Sequence, residues 1–441
     1  MRLAHLALQD FRAIGARREF NLAPQFNVVI GPPGAGKSSV LAALASAAAA
    51  VWLGLPRGAD LRPLGDADTA AAGGTRSRAA GPVIEVHGEL LGGPLLAWSR
   101  QAGAPATGTR GAPDGLAELR NRVRGVFGTR AAGAAGAAGA AEAEPTLPLI
   151  VGYGSERFSP VAARSRAKPT VAPSTAAERF RPAPDALDAR LDAAALTPWV
   201  LALRPARATA AAKAVAAGVD AAVLAALQLT RPDITGLKRD HRRGELLIER
   251  SSGTPLAFAG LGHGSLALAA LVADLAQRAL ALNPSLGPSA LAGTPGLVLI
   301  DELELHLHPR AQRGVADLLR AHFPALQFVA ASDSPFIVQS LRGGHELMML
   351  AGQPTAELGN LSIEEIASGL MGVDQPTTGA RYGAMRGAAR EYLATLERAK
   401  AAPTDRLAAY EEALQSQLAP FADNPAFQAF LEMKRVARLG R

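Results

Sequence analysis

Nine residues, Gly31 to Ser39 (GPPGAGKSS), constrain the fold more than any other stretch of the chain. They separate an apolar run, Phe26 to Ile30 (FNVVI), that predicts a buried strand from a stretch beginning at Ser38 that predicts a helix to about Val51. A glycine-rich turn in that position aims backbone N–H groups and a helix N-terminus at one point, the arrangement that cradles a polyphosphate. The Gly-x4-Gly-Lys-Ser spacing assigns the parts. Gly31, Pro32, Pro33, Gly34, Ala35, Gly36 and Ser39 line the loop, Lys37 reaches the β- and γ-phosphates, and the Ser38 hydroxyl holds Mg²⁺.

A chain of 441 residues can bury more than one core, so two or three structural units are expected. The hydrophobic fraction of 49% is ordinary, although much of it is alanine. Forty-six basic against 39 acidic residues leave a formal charge of +7, a mild lean towards a polyanionic partner. The chain has no cysteine, which excludes disulfides, thiolate zinc sites and cysteine nucleophiles. The most apolar stretches, Val40 to Leu55 and Leu266 to Leu282, read as too short or too rich in alanine to span a bilayer. The second also carries Asp274, Gln277 and Arg278. Because the first residues read as a strand and no signal peptide precedes it, the expectation is a cytosolic protein with no membrane role.

Residues 1–10 (MRLAHLALQD) alternate as a half-buried strand does, and a second short strand is expected at residues 18–22. Residues 58–81 are polar and glycine-rich and read as a loop, and residues 82–89 and 95–99 read as antiparallel strands. Residues 130–145 (RAAGAAGAAGAAEAEP) are low in complexity and read as a flexible linker or exposed loop. Residues 147–153 (LPLIVGY) restore a buried strand, and a short helix is expected at 184–194. Residues 209–229 predict a helix, 235–250 a hairpin with a basic turn at 240–244, and 310–323 an amphipathic helix. That helix lies between two buried strands, 297–300 and 327–331, an order that argues for a parallel sheet covered by helices. From Ser362 onward the chain reads as mostly helical.

Leu297 to Glu302 (LVLIDE) delivers two carboxylates to the C-terminal edge of a sheet, where ligands bind in open α/β folds. Asp301 is placed to hold Mg²⁺ directly or through water, and Glu302 to orient and deprotonate a water that attacks the γ-phosphate. More than 250 residues separate Lys37 from Asp301, far more than a compact nucleotide kinase or small GTPase needs. Before LVLIDE, Phe258 to Ser265 (FAGLGHGS) is a glycine-rich turn opening a helix. Such a turn presents bare N–H groups to an anion, and it serves equally as a plain helix cap.

Several stretches resemble one family: FNVVIGPPGAGKSSVLAAL, LQDFRAIG, LIVGYGSERF, LGHGSLALAALVADLA, LVLIDELELHLHPRAQRGVADLL and FPALQFVAASDSPFIVQSL. Together they are similar to the ABC-type ATPase heads of the SMC, RecF and OLD class, and most closely to the coil-less group that includes the Septu defence ATPase PtuA. The resemblance covers most of residues 1–345. It implies an α/β fold, with an ABC-type P-loop head made of a mixed sheet, an antiparallel β subdomain and a helical lobe, followed by a C-terminal helical region. The implied division is residues 1–180 for the P-loop lobe, 181–250 for a helical and hairpin insertion, 251–345 for the signature helix and Walker B lobe, and 346–441 for a helical region suited to docking a partner.

The resemblance further implies ATP and Mg²⁺ as ligands and a homodimer or larger homo-oligomer closing around two nucleotides. Lys37 and Glu302 are then the catalytic pair, with Ser38 and Asp301 on the metal. Gly262, Gly264 and Ser265 stand at the signature positions that contact a partner's ATP, Asp333 at the switch position, and Arg12 and Arg157 at positions near the nucleotide or the DNA-facing surface. Glu304, His306 and His308 fall in the D-loop at the dimer interface. Three departures point to slow hydrolysis. Gly262 replaces the signature serine, Asp333 replaces the switch histidine, and Pro33 replaces a common asparagine. An ionised carboxylate cannot donate to a phosphate as a histidine does.

Basic clusters at Lys238, Arg239, Arg242, Arg243 and at Arg164, Arg166, Lys168 suit double-stranded DNA or are simply solvated. The stretch LSIEEIASGLMGVDQP and the helix expected at Tyr382 to Ala399 resemble the C-terminal region of PtuA-like ATPases that work with a separately encoded HNH nuclease, so the resemblance implies such a nuclease as effector in anti-phage defence. The chain itself lacks an HNH motif and the acidic cluster of a Toprim nuclease. The rival readings are a RecF-like DNA-repair ATPase and a nucleotide-dependent scaffold without turnover. The absence of a recognisable Q-loop argues against a transporter subunit.

Overall fold

The computed structural model describes residues 1–55, 64, 68–69, 81–101, 115–132, 144–159, 175–181, 186–203, 209–240, 242–351, 358, 361–373, 376, 378–400, 412–416, 419–421 and 423–439. Expectations for the core of the low-complexity stretch, most of the 58–81 loop and the basic run at Arg164, Arg166 and Lys168 lie outside the described residues. Two compact units form, Met1–Ile366 and Ala367–Arg441.

In the first unit the strands are β1 (Arg2–Gln9), β2 (Arg18–Asn21), β3 (Phe26–Ile30), β4 (Val83–Glu89), β5 (Leu96–Gln101), β6 (Leu149–Tyr153), β7 (Ile234–Asp240), β8 (Glu245–Arg250), β9 (Leu256–Ala257), β10 (Gly296–Ile300), β11 (Leu326–Ala331) and β12 (Leu347–Met349). The helices are α1 (Lys37–Ala49), α2 (Gly115–Ala132), α3 (Ala176–Arg179), α4 (Ala193–Ala202), α5 (Ala210–Thr230), α6 (His263–Leu282), α7 (Ala290–Gly293), α8 (Pro309–Gln312), α9 (Val315–His322), α10 (Pro335–Gln339) and α11 (Ile363–Glu365).

The expected combination of parallel and antiparallel strands is present, with the two kinds of pairing in separate sheets. A five-stranded sheet of order β12-β3-β11-β10-β6 has wholly parallel pairings. A four-stranded sheet, β2-β1-β4-β5, is antiparallel, as is the small sheet β7-β8-β9. Sequence explains the difference. Strands β3, β6, β10 and β11 are predominantly apolar and buried at every position, as both faces of a covered parallel sheet require, with the amides Asn27 and Gln327 as the polar exceptions. In β4 buried and more exposed residues alternate, as in a sheet with one face towards the core.

Buried amides tie the layers together. The Gln327 side chain on β11 accepts from the Leu3 N–H and donates to the carbonyls of Leu3 and Ala23, so the antiparallel and parallel sheets are joined by fully used polar atoms. Asn283, after α6, accepts from the Leu147 N–H and donates to the Leu147 carbonyl and Thr294, holding the approach to β6.

Several helices differ from expectation: residues 186–192, within the stretch expected to be a short helix at 184–194, are turn and irregular, and α4 begins only at Ala193. The run at 310–323 is broken into α8 and α9 at Gly314, where any Cβ would come within 2.5 Å of Leu229 on α5. The stretches read as too short for a bilayer are, with their flanks, long and apolar enough by length and composition. Lys37–Gly54, Ala210–Thr230 and His263–Leu282 all meet that measure, with 67%, 33% and 67% of their windows buried inside the protein. Helix α2 was not expected from sequence.

The second unit has its own small core. Tyr392 and Leu396 on α12 (Ala380–Lys400) pack with Leu414 and with Leu431 of the terminal helix Pro425–Leu439. Phe430, Met433 and Val436 of the terminal helix are exposed.

Candidate nucleotide-binding site

The parallel sheet delivers its chemistry to one edge. The P-loop leaves the C-terminal end of β3, the Asp301–Glu302 pair leaves β10, the segment carrying Asp333 leaves β11 between them, and the Gly154–Arg157 turn leaves β6. Adjacent strands lie about 4.8 Å apart, so strand order alone brings these turns together.

The P-loop has the backbone its glycines permit. Gly34 and Gly36 adopt positive φ of 79° and 106°, a region that strains residues with a Cβ. Gly36 is the N-cap of α1, so its conformation turns the chain from loop to helix. Nothing lies within 4 Å of a Cβ built at Gly34, whereas one at Gly31 would sit 2.9 Å from Leu350 beyond β12. Pro32, Pro33 and Ser38 are exposed, Ala35 and Lys37 partly so, and Ser39 is buried beneath the loop. The Ser39 hydroxyl accepts from the Ala13 N–H at 3.5 Å. Lys37 Nζ donates to the Gly31 carbonyl at 2.8 Å and pairs with Asp333 at 2.9 Å.

The acidic turn after β10 is held from behind. Asp301 is half-buried, its N–H donates to the Tyr153 carbonyl, and its carboxylate accepts from the Glu302 N–H. Glu302 is exposed and adopts φ +47°, uncommon for a residue with a side chain. Arg157 secures this conformation. The residue is 2% exposed, and its guanidinium donates to the carbonyls of Gly154 (3.1 Å), Asp301 (2.5 Å) and Glu302 (2.7 Å). Burial pushes Arg157 down to about 10, with Glu302, Asp301 and Glu304 opposing the shift, so it remains charged at neutral pH.

Beyond the turn, Glu304 accepts from the Asp333 N–H at 2.7 Å through Oε1, while its Oε2 is buried without a partner in the structure. His306 has φ +65° and its ring lies against Phe158. His308 Nδ1 accepts from the Arg310 N–H and caps α8. Among the described residues no group of three His, Cys, Asp or Glu could hold a metal. A Mg²⁺ ion at Ser38 and Asp301 fits the chemistry of the donors, since Mg²⁺ at such sites takes one or two protein oxygens together with phosphate oxygens and water.

The signature turn is built differently. Gly262 is the N-cap of α6, with no side chain to accept from the helix N–H groups and nothing within 4 Å of a Cβ placed there. At Gly264 a Cβ would come within 2.5 Å of the His306 carbonyl, so this glycine lets the signature helix meet the D-loop within one chain. Ser265 is buried, and its hydroxyl is hydrogen-bonded to Thr230 on α5 at 2.8 Å. The same helix is tied to the parallel sheet by Tyr153, whose hydroxyl donates to Asp274 at 2.6 Å, while Arg278 donates to the same carboxylate oxygen at 2.7 Å.

The predicted arginines are partnered inside the fold. Arg12, at φ +50°, donates through Nε and Nη2 to Asp68 and lies over the Phe11 ring. Arg157 stands behind the acidic turn, a role that no pattern in YGSER announces. In the basic hairpin Arg239 is engaged bidentately by Asp220, while Lys238, Arg242 and Arg243 are exposed at or near the turn.

A family model described as AAA domain, putative AbiEii toxin, Type IV TA system, matches residues 171–339, which hold the signature turn, Asp301, Glu302 and Asp333. Three curated relatives match shorter stretches. A retron Vc95 probable ATPase from Vibrio cholerae serotype O1 biovar El Tor is 40% identical over 90 residues, covering 20% of this chain and 17% of that protein. A retron Ec83 probable ATPase from Escherichia coli is 33% identical over 122 residues, 28% of this chain and 22% of that one. The Septu protein PtuA of Bacillus thuringiensis is 36% identical over 92 residues, 18% and 23%. The chain therefore spans less than a quarter of the length of each of these relatives. Among solved structures, an SMC head domain from Thermotoga maritima is 14% identical, covers 79% of this chain and 94% of its own, and has a TM-score of 0.37. An SMC head bound to the C-winged helix domain of ScpA is 13% identical, with the same coverage and a TM-score of 0.41. Likeness at those scores carries no argument. The family model, the relatives and the arrangement at the sheet edge support a fold of the ABC-type P-loop ATPase kind, of the SMC, RecF and OLD class, for this chain.

Proposed function

We propose that the chain binds ATP with Mg²⁺, hydrolyses it slowly in a head-to-head dimer, and through that cycle governs a separately encoded nuclease of HNH type in cytoplasmic anti-phage defence, with double-stranded DNA as a further ligand. The observation that carries this reading is the convergence of Lys37, Asp301, Glu302 and Asp333 on one edge of the parallel sheet. The naming of relatives as retron ATPases and as Septu PtuA supports the defence setting.

In this reading the P-loop N–H groups and Lys37 bind the phosphates, and Ser38 and Asp301 hold the metal, which offsets the phosphate charge. Glu302 orients the attacking water and takes its proton. Gly262 and Gly264 offer N–H groups to the nucleotide of a second subunit, and Ser265 packs behind them. Lys238, Arg242 and Arg243 are the DNA candidates in the described residues. The C-terminal region, residues 346–441 in the sequence division and Ala367–Arg441 as a compact unit, is the candidate dock for the nuclease.

A second reading, a nucleotide-dependent scaffold without turnover, is favoured by the Lys37–Asp333 pair and by the bare cap at Gly262. Two measurements separate the readings. Lys37→Ala is expected to weaken ATP binding by about 100-fold, since charged hydrogen bonds to phosphate are among the strongest contacts available. Unchanged affinity would place the nucleotide elsewhere. Phosphate release by the wild-type chain, with and without double-stranded DNA, is expected to exceed that of Glu302→Gln, and equality would favour the scaffold. Co-purification with the neighbouring open reading frame's product tests the effector.

A further inference from the structure

Among the described residues Asp333 is the carboxylate paired with the P-loop lysine. It follows β11, the strand lying between those that deliver Lys37 and Asp301, and its Oδ1 stands 2.9 Å from Lys37 Nζ. The oxygens that a P-loop lysine meets in a loaded site are those of the β- and γ-phosphates. An anion on the protein therefore holds ground that a terminal phosphate needs.

The backbone carrying this carboxylate is pinned on both flanks. The Asp333 N–H donates to Glu304 at 2.7 Å, and the Ser334 N–H donates to Ser332 Oγ at 3.0 Å. The Ser334 hydroxyl donates to Gln312 at 2.5 Å and accepts the N–H groups of Phe336 and Ile337, starting α10. Retreat of the main chain would break these bonds, so only rotation of an exposed side chain is available to make room. Rotation gives up the ion pair with Lys37 and leaves a negative charge within a few ångströms of the arriving phosphate. A nucleoside diphosphate stops one phosphate short and meets less of that repulsion.

We propose that Asp333 sets nucleotide specificity by opposing the γ-phosphate, so that the site is biased towards nucleoside diphosphate and ATP occupancy follows the ratio of ATP to ADP. This rests on the P-loop being the nucleotide site. A histidine in the same place would donate to the γ-phosphate; an aspartate competes with it for Lys37. The residue thus acts as a specificity determinant and not as a vestige of a lost catalytic group.

The test is equilibrium binding of ATP and of ADP, each with Mg²⁺, to the full chain and to Asp333→Asn and Asp333→His. The asparagine keeps the shape and removes the charge; the histidine supplies a donor. Both variants are expected to raise ATP affinity by about tenfold while ADP affinity changes less than about threefold, the size expected for one partly screened like-charge contact. Circular dichroism checks that both remain folded. An unchanged ATP to ADP ratio overturns the proposal, and so does a loss of ATP affinity in Asp333→Asn, which would make the carboxylate a metal holder. If neither nucleotide binds the wild-type chain or the variants, the nucleotide site itself is misassigned and the proposal falls with it.

Discussion

The acidic turn after β10 and the signature turn before α6 touch within one chain, yet they are built to opposite standards. In the first, a buried arginine holds three carbonyls, a non-glycine residue is kept at positive φ, and a D-loop carboxylate is bonded to the neighbouring switch segment. In the second, the helix cap has no side chain, and the nearest constraint is the missing Cβ of Gly264 against the His306 carbonyl. The acidic turn is held by interactions inside the fold. The start of the signature turn is bare backbone, anchored by the Ser265–Thr230 hydrogen bond and by the clearance at Gly264.

Removing Arg157 should break that contrast most completely. Arg157→Ala leaves the Asp301 and Glu302 carbonyls without their charged donor in a buried place, and a destabilisation of about 3–5 kcal/mol is expected. Urea unfolding measures it, and a change below about 1 kcal/mol would mean that the turn holds its shape unaided. Arg157→Lys should recover only part of the loss, because one ammonium cannot reproduce a planar fork on several carbonyls.

Gly264→Ala probes the contact between the two turns. The added methyl would stand 2.5 Å from the His306 carbonyl, so either α6 or the D-loop must shift, at about 1–3 kcal/mol. The expected signature is a loss of stability together with altered hydrogen exchange at residues 304–308. A neutral outcome would show that the signature helix is not packed on the D-loop.

The same contrast separates what was legible in the sequence from what was not. The P-loop, the LVLIDE strand and the glycine-rich helix start were readable because each is local: a turn, an apolar run and a cap lie within a dozen residues of one another. The antiparallel pairing of β4 with β5 and the hairpin of β7 with β8 were readable for the same reason. Partnerships across the sheet were not. Arg157 looked like any surface arginine, because its acceptors are main-chain carbonyls 144 and 145 residues away. Arg12 carried no sign of Asp68, and Glu304 none of Asp333, since both depend on strand order. The close approach of Gly314 to Leu229 on a distant helix is likewise something a helical periodicity cannot report. Helix α2 escaped because its arginines and glycines leave a weak apolar pattern.

The smallest expected effect is the sharpest test of the bare turn. Space for a side chain exists at Gly262, and the N–H groups of Ser265 and Leu266 already donate to its carbonyl. A serine hydroxyl there would share the Ser265 N–H, at the third helical position, as an N-cap serine does, leaving the Gly264 N–H free. Because a glycine cap is only slightly worse than serine, Gly262→Ser should stabilise the isolated chain by no more than a few tenths of a kcal/mol in thermal or urea unfolding. The same hydroxyl can donate outward while it accepts from the helix, so ATP-dependent self-association, followed by sedimentation, should rise in the variant. A gain in stability without a gain in association would show that the turn is a helix cap and nothing more. A gain in association beyond the gain in stability would show that the bare glycine holds an otherwise complete trans contact below strength.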